Sequence, residues 1–346
     1  MTIKKAVVWA LILVMSMSLF AGCGQSANTP AKEDPKATAP STETKAPDAA
    51  KPDETGKKKV IGVCIGDFSN QFHTYIMEGM KKEAEKYPDF GFVYVDGKFD
   101  PGIQMGQAEN FIAQKASAII FLPGDSEAAK PAVEKIAAAN IPLIDVNTKV
   151  GNIEKVTSYI GSDTVESGHF LMEGMAKALG GKGTIVELQG QYGHEPQVLR
   201  HQGIEDILKK YPDIKVVASD TGKWSREDGM RKMENWLQSD LRDKFDAVVA
   251  HNDEMAIGAL KAIEAAKLNK KILIGGIDAT PDMLNYLKEG KTTLTVFQDA
   301  MGQGAKSIEV AVSAAKGEKV EKEYMIPYKL VMPEEADQYL AIYGKK

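Results

Sequence analysis

The sequence predicts an α/β protein made of two similar doubly wound parallel-sheet lobes joined by a hinge. From Lys59 onward, short apolar runs alternate with amphipathic stretches. The apolar runs are nearly continuous, as strands covered on both faces require. One pattern also occurs twice: "EGMKKEAEKYPDFGFVYVDG" and "QGIEDILKKYPDIKVVASDTG" share a glycine, an amphipathic helix, Lys-Tyr-Pro-Asp and a Val-rich strand ending in Asp. This sets Gly79, Tyr87, Pro88, Asp89 and Asp96 against Gly203, Tyr211, Pro212, Asp213 and Asp220. Two lobes fit that echo better than one large sheet.

In chain order, "VIGVCIG" reads as the first strand, rich in β-branched residues, followed by the helical stretch "IMEGMKKEAEKY". "FGFVYVDG" is a second strand closed by Asp-Gly, "AIIFLPGD" a third closed by Pro-Gly, and "IPLIDVN" a fourth after the helix "AVEKIAAAN". The second lobe repeats the alternation with "GTIVELQG", "IKVVASD", "FDAVVAHND", "KILIGGID" and "TLTVFQD". At "VAHNDEMAIGAL" an apolar strand meets a helix. Asn252 is read as the last strand residue and Asp253 as the N-cap of a helix beginning at Glu254, which the helix dipole favours there. His251 is given no role.

Before the strands, Lys4 and Lys5 precede the apolar run "AVVWALILVMSMSLFA", and small residues follow at Ala21 and Gly22. This is the layout of an export signal, and "LFAGC" resembles a bacterial lipobox, in which Cys23 becomes a lipid-bearing N-terminus. Residues 1–22 are therefore expected as a signal peptide and 23–58 as a lipidated cysteine and disordered tether. Gly24 to Lys58 contains no aromatic residue and no Leu, Ile or Val, so nothing there offsets chain entropy. Such a tether reaches about 35 Å. The lobes are expected at 59–162 plus 299–323 and at 163–298 plus 324–346.

Composition narrows the function. With a net charge of -5 and no Lys/Arg stripe interleaved with aromatics, nucleic acid is not an expected partner. The two cysteines, Cys23 and Cys64, form no disulfide if the first is acylated, and Cys64 lies inside the first strand as a core residue. "KEGKTT" has Asn285 where a phosphate loop needs its first glycine, and "MGQGAKS" has Ser307 in place of a dinucleotide loop's third. There is no G-x-S-x-G elbow and no C-x-x-C. His73, His169, His194, His201 and His251 lack metal-ligand spacing, so neither a metal nor a cofactor is expected and the chain reads as a non-enzyme.

In open parallel sheets, ligands sit beyond the carboxyl ends of the strands. Here those ends are polar in both lobes: Asp67, Asn70, Asp125 and Asn147, then Asn252, Asp278 and Gln298. In "SNQFH", "RHQGI", "NDEMAIGALKAI", "GIDATPD" and "FQD", in that order, the sequence resembles the type I periplasmic sugar-binding proteins, the ribose and galactose binders of ABC transporters. The likeness runs from about Lys59 to Val331. It implies that Asn70 bonds a ligand hydroxyl and that Phe72 stacks on an apolar sugar face. His73 stands where a second aromatic is usual, and Asn147 and Thr148 stand where an Asp-Arg pair is frequent. In the second lobe the resemblance implies Arg200 as the cleft arginine, Trp224 as the opposing aromatic, and Asn252, Asp278 and Gln298 as hydroxyl partners. "WSREDGMRKMENWL" also looks like inositol-binding members.

The implied function is capture of a monosaccharide or cyclitol between two lobes by a monomeric, lipid-anchored protein on the outer face of the cell membrane, with delivery to an ABC permease. The alternative is a sensing module presenting the same ligand to a membrane sensor kinase or chemoreceptor. Amides that both donate and accept, one acid, one arginine and two aromatic faces suit a neutral polyol.

Overall fold

The computed structural model describes residues 58–344; the expected signal peptide, Cys23 and the tether up to residue 57 lie outside them. Five strands open the first lobe: β1 (Lys59–Ile65), β2 (Phe90–Asp96), β3 (Ala118–Phe121), β4 (Leu143–Val146) and β5 (Ser158–Gly161). Three helices alternate with them: α1 (Gln71–Ala84), α2 (Pro101–Ala113) and α3 (Lys130–Ala138). The second lobe repeats the scheme with β6 (Gly183–Gln189), β7 (Ile214–Thr221), β8 (Ala247–Ala250), β9 (Leu273–Asp278) and β10 (Leu294–Phe297). Its helices are α4 (Thr164–Ala178), α5 (Glu195–Leu208), α6 (Arg226–Leu237), α7 (Asp253–Ala266) and α8 (Pro281–Lys288).

The two sheets have one topology, β5-β4-β3-β1-β2 and β10-β9-β8-β6-β7, with every one of these strands parallel. The repeated sequence pattern falls on α1 and β2 in one lobe and α5 and β7 in the other, the corresponding helix and edge strand of each. Central strands such as β3, β4 and β8 are buried at every position, which explains their unbroken apolar runs. Cys64 is fully buried among them, and burial pushes its thiol well up.

The chain passes between lobes three times. It leaves β5 for α4, which packs on the second sheet, and returns from β10 into α9 (Ala300–Ala315), which packs on α1 in the first lobe. β11 (Glu323–Met325) then extends the first sheet beside β5, and β12 (Lys329–Val331) pairs antiparallel with β10 before α10 (Ala336–Ile342) closes on α8. The third crossing thus follows Met325, two residues past the boundary drawn from sequence. Neither β11 nor β12 is legible in sequence, because strands of three residues exist only through the edges that pair them. β5 is missed for a similar reason: its four residues include Ser158 and Gly161 and show no strand pattern of their own.

Three helix pairs pack through glycines. A Cβ on Gly304 of α9 would lie 2.0 Å from the Ile76 carbonyl oxygen of α1, and one on Gly203 of α5 would lie 2.3 Å from that of Val165 on α4. On α7, Gly258 similarly meets the Arg226 carbonyl oxygen at 2.1 Å. Backbone cannot yield as a flexible side chain can, so Gly304→Ala is expected to force α9 off α1. The cost should be about 1 to 3 kcal/mol, seen as a lower urea midpoint at unchanged slope.

Candidate functional site

Every ligand residue expected from the sequence lines one cavity between the lobes. From the first lobe come Asn70, Phe72 and His73 at the start of α1, with Asn147 and Thr148 after β4. The second lobe supplies Arg200 on α5, Trp224 after β7, Asn252 after β8, Asp278 ending β9 and Gln298 after β10. All lie at or beyond the carboxyl ends of parallel strands, where loops leave room and helix N-termini converge.

Local chemistry positions each group. Asn70 caps α1, its Oδ1 accepting from the His73 N–H at 3.1 Å, which turns its amide N–H groups to other partners. Asn252, and not Asp253, is the N-cap of α7: its Oδ1 accepts from Met255 N at 3.0 Å and its Nδ2 donates to the Trp224 carbonyl at 3.2 Å. Asp253 is instead the first helical residue and fully buried. It accepts from Thr295 Oγ1 at 2.7 Å and from Thr280 N at 2.7 Å, ties to distant segments that decide between two adjacent Asx residues. Asn147 holds a left-handed φ of 69° and donates to Gln303 Oε1 at 3.0 Å, joining β4 to α9.

Arg200 is the centre of the polar wall. It is 5% exposed, donates through Nη1 to the His251 carbonyl and through Nη2 to Gln298 Oε1 at 2.9 Å, and stands 3.9 Å from Asp278. Its Nε has no hydrogen-bond partner among the described residues. The guanidinium lies 5.6 Å from the Trp224 ring centre, and the indole donates to His194 Nδ1 at 3.3 Å. Gly190 makes room for that ring, since a Cβ there would come within 2.0 Å of it. Burial pushes the Asp278 carboxyl up against the pull of Arg200, and it also pushes Asp253 up, with Asp278 adding repulsion.

The sequence pattern of the periplasmic binding protein domain matches residues 61–319. The chain belongs to that family. This binding protein is 44% identical to an ABC transporter solute-binding protein of Bacillus halodurans, solved with myo-inositol bound; the match has a TM-score of 0.79 and covers 84% of this chain and 99% of the other. It is 37% identical to a putative rhizopine-binding protein of Rhizobium meliloti over 79% of this chain and 90% of that one. With the ribose import binding protein of Bacillus subtilis it shares 31% identity over 94% and 98% of the two chains.

The cavity of this binding protein has lining residues that sequence reasoning did not select. Phe99, after β2, stands 5.5 Å from the His73 ring and 5.7 Å from that of His194 across the lobes, so three rings line one side. Burial lowers His73 to about 4, keeping its ring neutral and able to pack as an aromatic. Glu195, the first residue of α5, has an Oε2 without a partner among the described residues. Burial raises its carboxyl to about 7 against Arg200 and Lys149. The one sequence signal for this loop is "HEP", with its proline in the first turn of a helix.

Proposed function

We propose that this chain is an exported solute-binding protein, not an enzyme, that captures a monosaccharide or cyclitol between its lobes and delivers it to an ABC permease. The observation that carries this reading is the convergence of Arg200, Asp278, Gln298, Asn252 and two aromatic faces on one cavity at the strand ends. Such a set offers donors, acceptors and apolar ring faces together, as a polyol needs and a charged or wholly apolar ligand does not. The myo-inositol bound by the relative from B. halodurans supports the cyclitol class. Closing the lobes on the ligand would shift a population toward the form a permease recognises. Cys23 as the lipidated residue, a signal peptide at 1–22 and a monomeric state complete the proposal; the first two rest on the N-terminal sequence alone.

A thermal-shift panel of pentoses, hexoses and inositols tests the ligand class. A ligand at 100 times its Kd adds about 2.7 kcal/mol of stability. A panel in which no polyol raises Tm would reject the reading.

Binding is expected to strengthen as pH rises through neutrality. Hydroxyls donating to Glu195 and Asp278 favour the ionised carboxylates, whereas burial among protein groups favours the protonated forms. Ligand uptake should therefore release protons, so affinity is lower below the Glu195 value of about 7 and higher above it. Calorimetry in buffers of different ionisation enthalpy reads this directly; proton uptake near neutrality would contradict it.

A further inference from the structure

Glu187 is a carboxylate on β6 that is 1% exposed and does not line the cavity. Its Oε1 accepts from His251 Nε2 at 2.9 Å and from His201 Nδ1 at 2.8 Å. Its Oε2 accepts from Ser219 Oγ at 2.8 Å and Gln189 Nε2 at 3.1 Å. Burial alone would raise this carboxyl, but the bonds from His201 and His251 hold it well below the usual range. An ionised carboxylate so deeply placed is tolerated only with such complete bonding.

The two histidines are the immediate neighbours of cavity residues: His201 follows Arg200, and His251 precedes Asn252. His251 also presents its carbonyl to Arg200 Nη1, and its Nδ1 faces the Gly190 N–H at 3.4 Å. With Nε2 donating to Glu187, that Nδ1 is the acceptor and the ring is neutral, in keeping with the lowering that burial imposes. Gly190 is the residue whose missing side chain admits Trp224, whose ring centre lies 6.4 Å from that of His251. One carboxylate therefore bonds beside Arg200, beside Asn252 and, through the His251 ring, beneath Trp224.

We propose that Glu187 is a positioning residue of the ligand site, holding Arg200, Asn252 and Trp224 in their receptive arrangement through His201 and His251. The proposal rests on the reading of the cleft as a polyol site. A residue that only stabilised the fold would change melting but leave affinity and the placement of the cavity side chains unaltered.

The test compares Glu187→Gln and Glu187→Ala with Ile185→Val, a core change on the same strand whose side chain is fully buried and lines no part of the cavity. Two quantities are read: myo-inositol affinity by calorimetry, and the Trp224 indole and Gly190 amide NMR resonances of the ligand-free protein. Loss of a hydrogen bond to a charged group is expected to weaken binding about tenfold or more. The Glu187 variants should also move both resonances, while Ile185→Val moves neither affinity nor resonances. Wild-type affinity in Glu187→Gln, or resonances that stay in place, overturns the proposal. If wild-type protein binds neither myo-inositol nor any other polyol, the functional reading fails, and the ligand-free resonances alone decide the role of Glu187. Should both Glu187 variants fail to fold, His201→Gln, at a half-exposed position with one of the two histidine bonds, is judged by the same readouts.

Discussion

Asp278→Ala is expected to abolish measurable binding of polyols while leaving the protein folded. The carboxylate ends β9, is 3% exposed and faces Arg200 at 3.9 Å. Without it the cavity loses a carboxyl acceptor, and the buried guanidinium keeps Gln298 and the His251 carbonyl. Each hydrogen bond that a ligand hydroxyl loses to a charged acceptor costs about 1.5 to 3 kcal/mol, or roughly tenfold to 150-fold in Kd. Stability should not fall in parallel, because Asp278 repels Asp253 and both carboxyls are pushed up in the folded protein. Asp278→Asn, which keeps one acceptor oxygen and the shape, should lie between the two. Calorimetry beside a melting curve separates these effects, and wild-type affinity in folded Asp278→Ala would remove Asp278 from the site.

Trp224→Ala should weaken binding by about 2 to 4 kcal/mol, the range of an aromatic anchor in a desolvated site. Two losses combine. The ligand loses an apolar face, and Arg200 loses the ring it lies against at 5.6 Å. The position already adopts a left-handed φ of 65°, which alanine tolerates about as well as tryptophan, so the backbone should keep its course. Trp224→Phe should recover part of the affinity by restoring a face without the indole bond to His194. A Kd for Trp224→Ala within threefold of wild type would show that the ring packs against protein alone.

The site residues legible in sequence are those where an apolar run stops at a polar residue: Asn147 after "LIDV", Asn252 after "AVVAH", Asp278 at the end of "LIGGID". Periodicity marks the strand, and the fold rule for parallel sheets turns its end into a site. Arg200 and Trp224 have no such marker, and only the family resemblance singles them out. Phe99 lies in the turn after β2 and Glu195 opens α5, where the proline of "HEP" marks a helix start but no pattern marks a cavity residue. Asn252 and Asp253 show a finer limit. Either side chain can cap a helix, and only Thr280, at the start of α8, and Thr295, on β10, draw Asp253 inward and leave the cap to Asn252.

Both lobes are finished by the same last stretch of chain. The first lacks α9 over its core and β11 on its edge until residues 300–325 are in place, and the second lacks β12 and α10 until residue 342. No contiguous segment of the polypeptide is therefore a complete lobe. A chain halted after Phe297 would expose the α1 face of the first sheet and the outer edge of β10 together. Folding of the two halves is bound to the arrival of one C-terminal segment, so the protein is a single cooperative object even though its architecture reads as two.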